Sequence, residues 1–161
     1  PEWPQQDTAF TIEGFRQAIW DLQIAIRAMR DAGASKVGVV GMSLGGYTAS
    51  LLATVTADVN FVVAYIPICS VPDVMNENGL VPGEGELQHE LYVGYREHMT
   101  PITPVCRSPK VASDRMAIIS GEFDQLATVE HGRRLAAVQA EVLSGDRVVA
   151  HGTFQFSVLQ K

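Results

Sequence analysis

Cysteine is scarce, basic clusters are missing and no apolar run is long, and each shortage removes a class of function. The two cysteines among 161 residues, Cys69 and Cys106, lie 37 positions apart. They have no Cys-x-x-Cys spacing and no histidine at ligand distance, so a zinc site is not expected and free buried thiols are. Nothing else in the sequence asks for a metal or another cofactor. The net charge of −6 and the pI of about 5.1, with no basic cluster, argue against a nucleic-acid surface. The longest apolar runs, around Val37 to Met42 and Phe61 to Ile68, fall far short of the ~18 residues that cross a bilayer. No internal repeat or low-complexity tract is present. No signal peptide is visible, and a cytoplasmic protein is the expectation, although a chain that begins Pro1-Glu2-Trp3-Pro4 leaves any preceding segment open.

What is present is the composition of one globular domain, 1–161, with 47% hydrophobic and 19% charged residues. A chain of this length buries ~70% of the surface its unfolded form exposes. Phe15, Ile19, Leu22, Ile26 and Met29 recur at helical steps, with Thr11 as the expected N-cap and Gly33 as the stop. Trp20 is expected to pack. Apolar runs at Val37–Gly41, Phe61–Ile66, Met116–Gly121 and Arg147–Ala150 read as strands, the second of them buried on both faces as in a parallel sheet. Helices from Leu44 to about Thr56 and from about Val129 to Val142 alternate with them. The fold class is therefore α/β, a mostly parallel sheet flanked by helices. Between the second and third strands, residues 70–114 are punctuated by proline and glycine and read as a cap-like insertion, not a core unit. Within it Glu86 to Met99 is expected to be helical, with Leu87, Leu91, Tyr95 and His98 on one stripe, either packed on the body or set over a site.

The chemistry is concentrated where the first strand ends. In Gly41-Met42-Ser43-Leu44-Gly45-Gly46 a serine sits between a strand and a helix with glycine on either side. A side chain at position 41 or 45 is expected to crowd a turn of this tightness. The pattern is that of a nucleophile elbow, in which the turn lifts the serine hydroxyl above the sheet. The N–H of Leu44, at the helix start, points toward the same spot and can hold an oxyanion. A serine needs a base and an acid behind it. Asp124 and His151 each follow a strand end, and in a parallel sheet those ends share one edge. Glu122 is the rival acid, while His131, in a helix, and His89 and His98, in the insertion, are expected at the surface.

The segment Gly41 to Gly46, with the order serine, acid, histidine, resembles the α/β-hydrolase superfamily of serine esterases, lipases and peptidases. The resemblance implies a catalytic triad of Ser43, Asp124 and His151 acting on a small-molecule acyl substrate, an ester, thioester or amide, without a cofactor. It covers most of the chain but only the C-terminal half of that fold, strands equivalent to the fifth through eighth. The first four strands, and the loop that supplies the second oxyanion N–H, have no counterpart before Thr11. A partial α/β-hydrolase fold leaves Val37 to Gly41 as an open, uncharged edge, to be paired with an upstream half, another chain or itself. The alternative is a non-catalytic scaffold that keeps the elbow and binds a partner or ligand.

Overall fold

The computed structural model describes residues 7–141. Its first element, α1 (Thr8–Asp31), begins one turn earlier than the sequence suggests: Asp7 is the N-cap and accepts from the Ala9 N–H at 2.9 Å. Thr11, the expected cap, is instead a buried residue inside the helix. Gly33, at φ 94°, closes the other end, where the Ala34 N–H reaches back to the Met29 carbonyl at 3.0 Å. Phe15, Ile19 and Ile26 are buried, with Leu22 packed beside them, but Met29 is exposed. Trp20 is 58% exposed and is not a packing residue among the described ones.

Arg30, near the end of α1, anchors the sheet. Its guanidinium donates to the Ser35 carbonyl and to Asn60 Oδ1, both at 2.6 Å, and the same Asn60 oxygen accepts from the Val37 N–H at 2.8 Å. From there run β1 (Gly38–Met42), α2 (Leu44–Val55), β2 (Phe61–Tyr65), α3 (Val71–Glu77), α4 (Gly85–Met99), β3 (Met116–Ile119) and α5 (Val129–Glu141). The strands form a parallel sheet in the order β1-β2-β3, pairing Met42 with Tyr65 and Tyr65 with Ile119. This is an α/β fold with flanking helices. The expected fourth strand, Arg147–Ala150, lies outside the described residues, and β1 is an edge among them.

The core lies between α1, α2 and one face of the sheet. Phe15 and Tyr47 meet with ring centroids 4.8 Å apart, and the Tyr47 hydroxyl donates to the Ile102 carbonyl at 2.8 Å. Burial pushes the Tyr47 phenol above its usual range, so it stays a donor.

The segment 70–114 corrects the sequence expectation in two ways. Val71, Val74, Met99, Ile102 and Val111 belong to the hydrophobic core, and the Val111 N–H joins the Ala53 carbonyl at the end of α2. The connection from β2 to β3 is thus part of the body. The stripe on α4, in contrast, is packed only at its C-terminal end: Leu87 and Leu91 are exposed, Tyr95 is half-buried against the core and the helix fully buries only Met99. The strand Phe61–Ile66 is also not buried on both faces, because Val62 and Ala64 are buried while Phe61 and Tyr65 are exposed.

Candidate active site

Position 43 carries the most constrained backbone of the turn. The Ser43 N–H continues the β1–β2 ladder to the Tyr65 carbonyl at 2.9 Å, and the chain then turns directly into α2. The turn sets Ser43 at φ 53° and ψ −117°. A left-handed φ on a non-glycine residue costs on the order of 1–3 kcal/mol and is held only where the surroundings over-determine it. The surroundings here are backbone: a Cβ at Gly41 would run into the Gly45 carbonyl, and one at Gly46 would lie 3.1 Å from both the Tyr65 carbonyl and the Pro67 Cβ. Gly45 differs from the expectation, since nothing lies within 4 Å of a Cβ placed there. Gly41 and Gly46 are therefore the glycines that close the turn. Ser43 makes no side-chain cap to α2, and its half-buried hydroxyl has no hydrogen bond among the described residues. Leu44 is the first residue of α2, so its N–H belongs to the unsatisfied donors of a helix start.

Asp124 stands in the loop after β3. Its Oδ1 accepts from the Leu126 and Ala127 N–H groups at 2.9 and 2.7 Å, an Asx-type turn that fixes the carboxyl and leaves Oδ2 without a hydrogen bond among the described residues. Glu122, the rival acid, is exposed to solvent beside the exposed Phe123. The loops after the strands touch: a Cβ at Gly121 would lie 3.4 Å from the Asp124 Cβ and 3.7 Å from the Ile66 side chain. Ser43 and Asp124 thus flank the same Tyr65–Ile66 corner on one edge of the sheet. Their strands are two apart, ~10 Å, so the hydroxyl and the carboxylate need a third group between them. His151, the expected third group, lies outside the described residues.

His131 overturns its expected place at the surface. It is buried at the start of α5, where Cys69 Sγ lies 2.9 Å and the Cys69 N–H 3.4 Å from Nδ1. Burial pushes the Cys69 thiol up to about 12, which keeps its proton on sulfur. Both groups at Nδ1 are donors, so the ring proton belongs on Nε2, facing the Glu77 carboxylate at 3.1 Å. That contact has ion-pair distance without hydrogen-bond alignment, and Nε2 has no aligned partner. The cluster ties the loop after β2 to α3 and α5, and it engages His131 with Cys69 and Glu77. Cys69 is buried as expected, but Cys106 is exposed; both are free thiols. His89 and His98 are exposed, as expected.

One turn further along α5, Arg134 pairs with Asp73 Oδ2 of α3, a carboxylate that also accepts from the Tyr92 hydroxyl of α4 at 2.9 Å and faces Arg96 at 3.7 Å. Burial alone would raise this carboxyl. The hydrogen bonds from Arg134 and Tyr92, with the charges of Arg134 and Arg96, outweigh it and hold Asp73 below its ordinary value. Sequence reasoning missed this cluster and that of His131. For His131 a signal existed, since it shares a helical face with Leu135, four residues on. Asp73 has no local pattern, because its partners are 19, 23 and 61 positions away.

Among the described residues no group of three or more histidine, cysteine or acidic side chains could hold a metal ion. A groove of about 550 Å³ lies between α1, α2 and residues 101–107, lined in part by Phe15, Trp20, Leu51 and Arg107. None of the elbow residues lines it.

No family model matches the chain. It is similar to two uncharacterised proteins from two strains of Mycobacterium tuberculosis, each 24% identical over 125 residues, 77% of this chain and 30% of the relative. The chain thus spans about 30% of the length of the curated relatives it matches. No helix among the described residues is long and apolar enough to cross a membrane.

Proposed function

We propose that this chain carries the nucleophile half of a serine hydrolase of the α/β-hydrolase type, acting on an ester, thioester or amide through an acyl-enzyme on Ser43. The supporting observation is the backbone of Ser43, held at φ 53° between a parallel strand and a helix N-terminus. Ser43 Oγ attacks the acyl carbon while His151 takes its proton, and Asp124 orients the imidazole and stabilises its charge. The Leu44 N–H holds the oxyanion. Collapse of the tetrahedral intermediate expels the leaving group, which takes the proton back from His151, and water then releases the acyl group by the same route. In this reading β1 pairs with an upstream half of the protein, another chain or a second copy, completing the edge and the oxyanion site.

Hydrolysis of p-nitrophenyl acetate by the protein containing this chain tests the reading. Ser43→Ala and His151→Ala should each abolish turnover, whereas His98→Ala should leave it unchanged. Equal turnover by Ser43→Ala refutes the assignment and leaves the elbow as part of a binding scaffold.

A further inference from the structure

The groove between α1, α2 and residues 101–107 joins an apolar floor to a fixed arginine, and we propose that it binds a small amphiphile, an alkyl chain ending in one carboxylate. Its volume, about 550 Å³, is that of pockets that hold small molecules. Phe15, Ile19 and Leu51 form the floor and are buried, with the partly buried Ile12 and Val55 beside them. Trp20 stands in the wall at 58% exposure. An exposed tryptophan near an arginine is a pairing that binding surfaces favour.

The charge on the groove belongs to Arg107. Glu13 and Arg16, which also line it, neutralise each other at 2.9 Å. Arg107 has no acidic partner among the described residues. Its Nε donates to the hydroxyl of the buried Thr54 at 2.9 Å and its Nη1 to the Pro101 carbonyl at 3.0 Å, so the half-buried guanidinium is held in place by neutral groups. Nη2 keeps its N–H groups free among the described residues. A pre-oriented donor of this kind costs little ordering when an anion binds.

The shape selects the rest of the ligand. From Ile12 to Gln23 the groove follows α1 for ~17 Å. A partner helix, 10–12 Å across, would fill about 1,300 Å³ over that length, more than twice the groove. An extended peptide would need partners for its N–H and C=O groups. The helices beneath use their own, and no strand lines the groove. An alkyl chain asks only for apolar contact, and a single negative charge matches the single unpaired arginine in a chain of net charge −6. This inference goes beyond the acyl-transfer reading and does not depend on it.

Calorimetric titration of the intact chain with decanoate below its micelle concentration tests it, with decanol as the uncharged ligand of equal length. Decanoate should bind saturably at one site, about tenfold or more tightly than decanol, because its carboxylate gains a charge-assisted hydrogen bond. Arg107→Gln should bring the two affinities together. Arg107 also ties Thr54 to residue 101, so Trp20→Ser, at an exposed position, is the second variant and should weaken both ligands about tenfold by removing apolar wall. Ser43→Ala, remote from the groove lining, should bind decanoate as tightly as wild type. No saturable binding, equal affinities for decanoate and decanol in wild type, or a gap that survives Arg107→Gln overturns the inference. So does binding that is unchanged in Trp20→Ser or lost in Ser43→Ala, since the ligand would then sit elsewhere.

Discussion

Replacing Asp73 with asparagine removes the charge that three elements share. Its carboxylate is 5% exposed and faces Arg134 of α5, with Arg96 and Tyr92 of α4 on its other oxygen. Breaking a buried ion pair from one side costs about 3–5 kcal/mol. Here the arginine side chains are 31% and 54% exposed and can recover water. A loss of about 2 kcal/mol is therefore expected. For a chain of this size that lowers Tm by about 4–8 °C, readable by calorimetry at pH 7. The pH dependence carries the sign. The Asp73 carboxyl titrates lower in the folded chain than in the unfolded one, so its contribution is complete above the unfolded value and is lost as pH falls through the folded value. The gap in Tm between wild type and Asp73→Asn should accordingly close in the acid range below about pH 4. A gap under 1 °C at pH 7, or one of constant size down to pH 2, would refute the reasoning.

Two further outcomes follow from the same geometry. Gly41→Ala should destabilise the fold by about 3 kcal/mol or more, because the new methyl meets the Gly45 carbonyl. Gly45→Ala should be neutral or stabilise by up to about 1 kcal/mol, as an unobstructed helical glycine; denaturant titration measures both, and equal costs at the two positions would contradict the packing described. A thiol reagent at neutral pH should label Cys106 quickly and Cys69 only on unfolding, since the latter is fully buried and keeps its proton. Mass spectrometry with and without denaturant distinguishes the two, and fast labelling of Cys69 would show that its shell opens.

The order of strands and helices was legible because β-branched runs such as Val37 to Val40 and helical stripes such as Phe15–Ile19–Ile26 carry their own periodicity. Exposure was less so. A continuous run such as Phe61 to Tyr65 does not say how many faces are covered, and here one face has no helix among the described residues. Trp20 followed composition into the core while its helix turned it outward. The elbow was legible as a local motif, but which glycine is sterically required was not: Gly46, outside the G-x-S-x-G pattern, approaches the Tyr65 carbonyl, and Gly45, inside it, approaches nothing. Residues 70–114 looked like an added cap because proline and glycine interrupt them, yet Val71, Val74, Ile102 and Val111 contribute to the core. Irregular backbone does not prevent burial when side chains or α2 carbonyls satisfy it. His131 and Asp73 depend on partners distant in sequence, which no local pattern encodes.

The most direct test of the acyl-transfer account is covalent labelling of the native protein by a fluorophosphonate, read by peptide mass spectrometry. The account predicts one adduct, on the peptide carrying Ser43, absent in Ser43→Ala and strongly slowed in His151→Ala. An unlabelled Ser43 in protein shown to be folded, or labelling that persists in Ser43→Ala, would contradict it.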